Sequence, residues 1–87
     1  MERWLSLKVQ DVLQEETQSR KPRIYISVPK RVVKSAVRRN RIRRVLKEAV
    51  RHDAFFKTPK IYWLRVLATP AEVNLKEAQA MVDRLHD

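Results

Sequence analysis

Side chains that bind phosphate are concentrated in one stretch of this chain. Residues 30–51 contain ten Lys and Arg and a single acid, Glu48, whereas the rest of the chain contains ten basic and nine acidic residues. Guanidinium groups are planar and donate paired hydrogen bonds that match the geometry of phosphate oxygens. Because solubility needs only dispersed charge, this concentration predicts a polyanionic partner.

The second half of the basic stretch has the period of an amphipathic helix. Ser35 is the predicted N-cap of that helix. Its polar face is predicted to carry Arg41, Arg44, Glu48 and Arg51. The apolar residues recur at i, i+3, i+4, i+7 and i+8 and form the opposite face: Ile42, Val45, Leu46, Ala49 and Val50.

The charges on this helix oppose its stability. Arg39 with Arg43, Arg43 with Lys47, and Lys47 with Arg51 are like-charge pairs at i, i+4. Together they cost roughly 1 kcal/mol at ~0.2–0.5 kcal/mol each. Arg38 and Arg39 also lie in the first turn, against the positive end of the helix dipole. Because a solvated helix normally mixes both signs, this pattern favours polyanion binding over an ordinary exposed face.

Other reactive chemistry is sparse. Cysteine and glycine are both absent, which excludes disulfides, thiolate metal sites and glycine-rich phosphate loops. His52 and His86 stand apart from any partner at metal or triad spacing and are predicted to be surface residues. The acids are scattered, so we expect no catalytic residue and no metal bound by the protein alone.

The length indicates one domain over residues 1–87. The absence of cysteine favours a reducing compartment, which we take to be the cytoplasm. The start of the chain lacks a signal-peptide pattern. No apolar run approaches the roughly 20 residues that cross a bilayer, and we therefore expect no membrane partner.

The N-terminal part of the chain predicts two strands. Residues 3–10 alternate apolar and polar side chains, although a helical stripe through Leu5, Val9, Val12 and Leu13 is the competing interpretation. Residues 14–22 are polar and predict a loop. Residues 24–28 are rich in β-branched side chains and lie between two prolines, which predicts a second strand. A short loop joins it to the first strand, so we expect the two to pair antiparallel.

The C-terminal part predicts a loop, a strand and a helix. Phe55 and Phe56 are predicted to pin the loop over residues 52–58 to the core. Residues 61–68 are apolar at nearly every position, which predicts a strand covered on both faces, with Trp63 in the core. Two N-terminal caps are consistent with the last helix, and four residues form its predicted buried stripe. The caps are Asn74 with Glu77, and Thr69 with Pro70 and Glu72; the stripe is Leu75, Ala78, Val82 and Leu85.

The predicted order is β-β-α-β-α, an α+β fold with a small three-stranded sheet and two helices. Within it, the basic stretch resembles the signature of the bacterial ribonuclease P protein component. The family pattern is approximately K-x-x-x-x-x-A-x-x-R-N-x-x-[KR]-R-x-x-[KR]-E, and every fixed position is met without a gap. The positions that match are Lys30, Ala36, Arg39, Asn40, Arg43, Arg44, Lys47 and Glu48. The resemblance covers about residues 3–86.

The resemblance implies the small accessory subunit of an RNA-based endoribonuclease. In that family, the holoenzyme removes the 5′ leader from precursor transfer RNA by hydrolysing one phosphodiester bond. The RNA subunit and its Mg²⁺ ions are the catalyst. The protein, expected to be a monomer within the ribonucleoprotein, binds that RNA and holds the leader in a cleft on its sheet. The resemblance also implies a left-handed β-α-β crossover, against the usual right-handed rule.

Carried over by position, the resemblance implies a set of residues that contact RNA. Glu48 is expected to pair with Arg44 or Arg51 instead. The Asn40 amide could bond a base, a metal-bound water or nearby backbone. The expected RNA-binding residues are Lys30, Arg31, Lys34, Arg38, Arg39, Asn40, Arg41, Arg43, Arg44, Lys47 and Arg51.

Two departures from the family concern the leader. Members usually begin with a helix whose aromatic residues line the cleft, whereas this sequence predicts a shortened form that starts at the first strand. Tyr25 also stands where glycine is frequent. Trp4, Tyr25, Tyr62 and Trp63 could each offer a stacking surface to single-stranded bases. Trp4 and Tyr25 are the candidates kept, since Trp63 is expected in the core.

Two other classes of function share the basic composition. A ribosomal or assembly protein that neutralises structured RNA is the alternative hypothesis, and charge alone does not separate it from a ribozyme subunit. A DNA-binding regulator is disfavoured, because a reader helix needs a scaffold helix packed before it and strands precede this one.

Overall fold

A computed structural model describes residues 3–11 and 21–85. Its elements follow the predicted order β-β-α-β-α, and a short 3-10 turn at Ala54–Lys57 precedes the last strand. Within the described part of the chain, no helix is long and apolar enough to span a membrane. The elements are β1 (Leu5–Asp11), β2 (Arg23–Ser27), α1 (Ala36–Arg51), β3 (Lys60–Val66) and α2 (Leu75–Leu85).

The strand order in the sheet is β1-β3-β2, so the last strand lies in the centre. β1 pairs antiparallel with β3, with Leu5 opposite Val66, and β2 pairs parallel with β3, with Ser27 opposite Arg65. The predicted antiparallel pairing of β1 with β2 is therefore wrong. A short polar loop between two strands favours a hairpin, but here β3 separates them. The predicted loop over residues 14–22 lies mostly outside the described residues, as do Val12, Leu13 and His86.

Both helices share one hydrophobic core with a single face of the sheet. The residues that α1 contributes to this core are Ile42, Leu46, Ala49 and Val50. They confirm the predicted apolar face of the helix, except that Val45 is only half-buried. In α2 the predicted stripe holds at Ala78 and Val82, whereas Leu75 is exposed, Leu85 is half-buried and Met81 is buried. The sheet contributes Leu5, Tyr62, Leu64 and Val66.

The other face of the sheet is open. Trp63 on the central strand is 42% exposed, and Arg65 beside it is also exposed. The predictions that both faces of β3 are covered and that Trp63 lies in the core are therefore wrong. The physical reason is that both helices pack against the same face, so the alternate residues of β3 remain in contact with solvent.

Local caps begin both helices. The Ser35 side-chain oxygen accepts a hydrogen bond from the Arg38 N–H at 3.3 Å, which confirms Ser35 as the N-cap of α1. Asn74 Oδ1 accepts from the Glu77 N–H at 2.8 Å at the start of α2. The predicted cap at Thr69 is wrong, because α2 begins later and the Thr69 hydroxyl donates to the carbonyl oxygen of Val32 at 3.0 Å.

Tyr62 anchors the loop between α1 and β3 to the core. Its hydroxyl donates to the Thr58 carbonyl oxygen at 2.8 Å and lies 3.2 Å from that of Phe55. The Tyr62 ring packs edge-on against Phe55 and Phe56. These contacts agree with the prediction that the two phenylalanines pin the loop to the core, although only Phe56 is fully buried. Burial raises the pKa of the Tyr62 phenol above its ordinary value.

The substitution Tyr62→Phe should lower the free energy of unfolding by about 1 kcal/mol at neutral pH, because it removes the phenolic donor to the Thr58 carbonyl oxygen, which then keeps only the Lys60 N–H. Since the folded pKa is raised, the unfolded chain loses the phenolic proton first, and the contribution of Tyr62 should fall as the pH rises through about 10. Urea unfolding of both proteins from pH 7 to pH 11 tests this. A difference in stability that stays constant with pH would contradict the assignment.

Candidate nucleic-acid interface

The side of α1 that faces away from the core carries a strongly cationic surface, here called the arginine face. It is made of exposed Arg38, Arg41, Arg44, Lys47 and Arg51, with Arg43 half-buried at its edge. The first turn of α1 contains no acidic residue. The apolar face thus fixes the helix on the sheet and leaves the cations projecting into solvent.

Most of the predicted RNA-binding cations have no partner in the part of the chain that the structure describes. Among residues 3–11 and 21–85, the side chains of eight predicted RNA-binding residues make no ion pair and no hydrogen bond. A cationic side chain without an acidic neighbour contributes nothing to an ion-pair network, so its charge remains available to a ligand. The eight are Lys30, Arg31, Lys34, Arg38, Arg41, Arg43, Arg44 and Lys47.

Two arginines of the predicted set have partners. Arg51 Nη1 lies 3.9 Å from Glu48 Oε2, which confirms that Glu48 belongs to a structural ion pair, with Arg51 rather than Arg44. The other Glu48 oxygen lies 2.9 Å from His52 Nε2, and His52 is an exposed residue as predicted. Arg39 is half-buried, and its Nη1 donates to the carbonyl oxygens of Val33 and Lys34 at 3.0 and 2.9 Å.

Asn40 is exposed, and its side-chain amide makes no hydrogen bond to any described residue. The backbone bond considered from the sequence is therefore not made. Asn40 lines a shallow groove on α1 with one apolar residue, Val37, which is 77% exposed. The other lining residues are Arg43, Arg44 and Lys47. The groove offers an amide, an apolar contact and three cations at one place.

A second surface lies on the open face of the sheet. Tyr25 and Trp63 are neighbours across β2 and β3, and their rings stack with centroids 4.5 Å apart and planes 17° apart. On the side of Trp63 away from Tyr25, its neighbour in β1 is Lys8. The strand register places nine residues on this face, in three rows that run across the sheet. Three of the nine, Lys8, Arg23 and Arg65, are cations near the two rings. The rows are Gln10, Ile61 and Arg23; Lys8, Trp63 and Tyr25; and Ser6, Arg65 and Ser27.

The structure separates the two predicted stacking residues. Tyr25 lies on the open face, whereas Trp4 is half-buried and packs against the core on the helical side. The residue beside Tyr25 is instead Trp63, which was assigned to the core because an apolar strand residue suggests a buried position. The signal that could have found it is Arg65, a charged residue two positions along the same strand, which marks the face in contact with water.

The arginine face lies on α1, in the layer that covers one face of the sheet, whereas the open face is the other face of the same sheet. No group of His, Cys, Asp and Glu side chains within the described ranges could hold a metal ion. Within the described residues, the arrangement therefore combines a cationic helix surface with a separate pair of exposed, stacked rings.

Fold and surfaces together define a small basic α+β domain with one strongly cationic helix face. The chain belongs to the ribonuclease P family, whose model matches residues 3–87. No curated protein and no solved structure matches the chain significantly. Membership makes it a protein component of ribonuclease P, associates it with an endoribonuclease complex in tRNA processing, and implies the ribonuclease P RNA as its partner.

Proposed function

We propose that this protein binds the catalytic RNA of ribonuclease P through the arginine face of α1 and the residues just before it. The proposal rests on eight cations, on and just before one helix, that have no partner among the described residues. A protein gains nothing in stability from such an arrangement, whereas an RNA backbone supplies the missing anions. Asn40 and Val37 would add contacts to a base or a ribose in the groove that they line.

The open face is proposed to hold the single-stranded 5′ leader of precursor tRNA. Exposed aromatic rings flanked by cations are the features that bind unpaired nucleotides, because each base can stack while each phosphate meets a positive charge. With the rings of Tyr25 and Trp63 already 4.5 Å apart, no base fits between them. The leader base would therefore stack on an outer face of the pair.

In this proposal the protein assists the removal of the leader but does not carry out the hydrolysis. The described carboxylates do not form a cluster that fits Mg²⁺. The proposal therefore places the Mg²⁺ ions of the reaction on the RNA. The roles left to the protein are to neutralise RNA phosphates and to raise the affinity for precursor tRNA.

Reconstitution tests the proposal directly. At low Mg²⁺, the protein should accelerate leader cleavage by a bacterial-type ribonuclease P RNA acting on precursor tRNA. The double variant Arg41→Ala, Arg44→Ala should lose most of this stimulation. The matched control Lys57→Ala, Lys76→Ala removes two exposed cations elsewhere and should keep it.

Two results would contradict the proposal. One is the absence of stimulation by the unmodified protein. The other is stimulation that the Arg41 and Arg44 substitutions leave unchanged. Equal binding to ribosomal RNA without any effect on cleavage would favour the alternative of a general structured-RNA-binding protein.

A further inference from the structure

The segment between β2 and α1, residues 29–35, is here called the approach segment. It carries three exposed cations, Lys30, Arg31 and Lys34, and belongs to neither a strand nor a helix. A turn begins it, in which the Pro29 carbonyl oxygen accepts from the N–H groups of Val32 and Val33, both at 3.0 Å. Val33 is buried in the core, so the cations project from a segment that is fixed at one point.

Side chains from two other parts of the chain hold three consecutive carbonyl groups of this segment. Thr69, from the loop after β3, donates to the Val32 carbonyl oxygen at 3.0 Å. Arg39, one turn into α1, donates from one nitrogen to the Val33 and Lys34 carbonyl oxygens at 3.0 and 2.9 Å. In a connecting segment, water normally satisfies such carbonyls. Here protein donors replace it, and the backbone is tied to both sides.

We infer that Arg39 and Thr69 form a brace that holds the approach segment in the conformation that binds RNA. Arg39 is then a positioning residue rather than a phosphate contact. Its half-buried guanidinium supports this, since the adjacent Arg38 and the nearby Arg41 are exposed and bond to nothing described. The inference rests on the proposed RNA binding for its functional part, although the brace itself exists without RNA.

The physical benefit of the brace is preorganisation. Ordering a flexible loop on binding costs conformational entropy, and a loop already held in place avoids most of that cost. Lys30, Arg31 and Lys34 would meet the RNA with their backbone fixed. Thr69 would thereby influence RNA affinity although it carries no charge and lies outside the basic stretch.

The brace can be tested without RNA by amide hydrogen exchange. The substitution Thr69→Val removes the hydroxyl donor and keeps the shape of the side chain. It should speed exchange at the Val32 and Val33 amides by about fivefold or more, because local opening of the turn becomes easier. Exchange in the middle of α1 should not change. Thr58→Val is the matched control, because the Thr58 hydroxyl makes no hydrogen bond to a described residue. Unchanged exchange in Thr69→Val would overturn the brace.

Its role in RNA binding is tested by a thermodynamic cycle against ribonuclease P RNA. Thr69→Val should weaken binding by about threefold to tenfold without changing the salt dependence, since no phosphate contact is lost. In a background with Lys30, Arg31 and Lys34 changed to Gln, the same substitution should have almost no effect. Equal effects in both backgrounds would overturn the inference that the brace acts through these cations.

Arg39 is tested against Arg41, a nearby arginine that has no partner among the described residues. Arg41→Gln should reduce the slope of log affinity against log salt by about 0.7–0.9, the value for one phosphate contact, and Arg39→Gln should leave the slope unchanged while weakening binding. Equal loss of slope in both variants would show that Arg39 binds phosphate. If the unmodified protein does not bind the RNA at all, the proposed function fails, and hydrogen exchange alone then decides whether the brace is real.

Discussion

Changing Arg41, Arg44 and Lys47 together to Gln should weaken binding to ribonuclease P RNA by about 100-fold near physiological salt. All three side chains are exposed on the arginine face and have no partner among the described residues. About six phosphate contacts would give the unmodified protein a slope of log affinity against log salt near −5, and the variant should be less steep by about two to three. A salt titration of both proteins measures this.

The matched control removes the same amount of charge from other surfaces. Lys57, Lys60 and Lys76 lie on the 3-10 turn, at the start of β3 and on α2, and changing them to Gln should weaken binding less than about threefold. The arginine-face variant should fold at least as well as the unmodified protein, because it removes like-charge pairs with Arg43 and Arg51. Similar losses of affinity in both variants would mean that net charge, not this surface, drives binding.

Changing Tyr25 and Trp63 together to Leu should lower the affinity of the reconstituted complex for precursor tRNA by about 10-fold to 100-fold. Loss of one stacked base corresponds to ~1–3 kcal/mol. Binding of mature tRNA, which lacks the leader, and binding of the ribonuclease P RNA should not change. Equilibrium binding of both tRNAs to the reconstituted complex measures the difference.

Phe55→Leu supplies the control for this second prediction. Phe55 is an exposed aromatic residue, but it precedes β3 and lies off the open face. Its substitution should leave both tRNA affinities unchanged. If Tyr25 and Trp63 can be replaced with no loss for precursor tRNA, or with equal losses for both tRNAs, the open face is not the leader site.

The helices and strands could be predicted largely because their signals are local. In α1, the 3.6-residue spacing from Ile42 to Val50 and the cap at Ser35 lie within the helix or directly before it, and the structure confirms both. The pattern that resembles the family signature is equally local, and the match over residues 3–87 agrees with it. In each case the residues that decide the outcome are close in sequence.

The errors concern contacts between residues far apart in the chain. Nothing in the first two strands indicates that β3 will lie between them, so a hairpin was the natural expectation. Trp63 looked buried because the sequence does not say how many faces of the sheet the helices cover. Threonine is a residue type that often caps a helix, but the Thr69 hydroxyl donates to the carbonyl oxygen of Val32, 37 residues away in the chain.

The candidate site shows the same division. The position of the arginine face follows from helical spacing, since the cations fall opposite the buried stripe. Helical spacing does not predict that Arg39 bonds to the backbone while Arg41 stays exposed. That difference depends on the path of residues 33 and 34, whose carbonyl oxygens accept from Arg39. Tyr25 was a candidate from its sequence position alone, whereas its stacking partner required the register of β2 against β3.

The central position of β3 also sets the order in which this domain can fold. Both strand pairings involve this seven-residue strand. In one of them, Val66 pairs with Leu5, which lies far before it in the chain. α1 can begin to form locally, but a 16-residue helix is marginal alone, and this one carries like-charge repulsion as well. During synthesis, therefore, neither the sheet nor a stable helix layer can form until Val66 has left the ribosome. Folding then depends on a single late event of long-range chain closure, which predicts a slow and cooperative transition without a stable N-terminal intermediate.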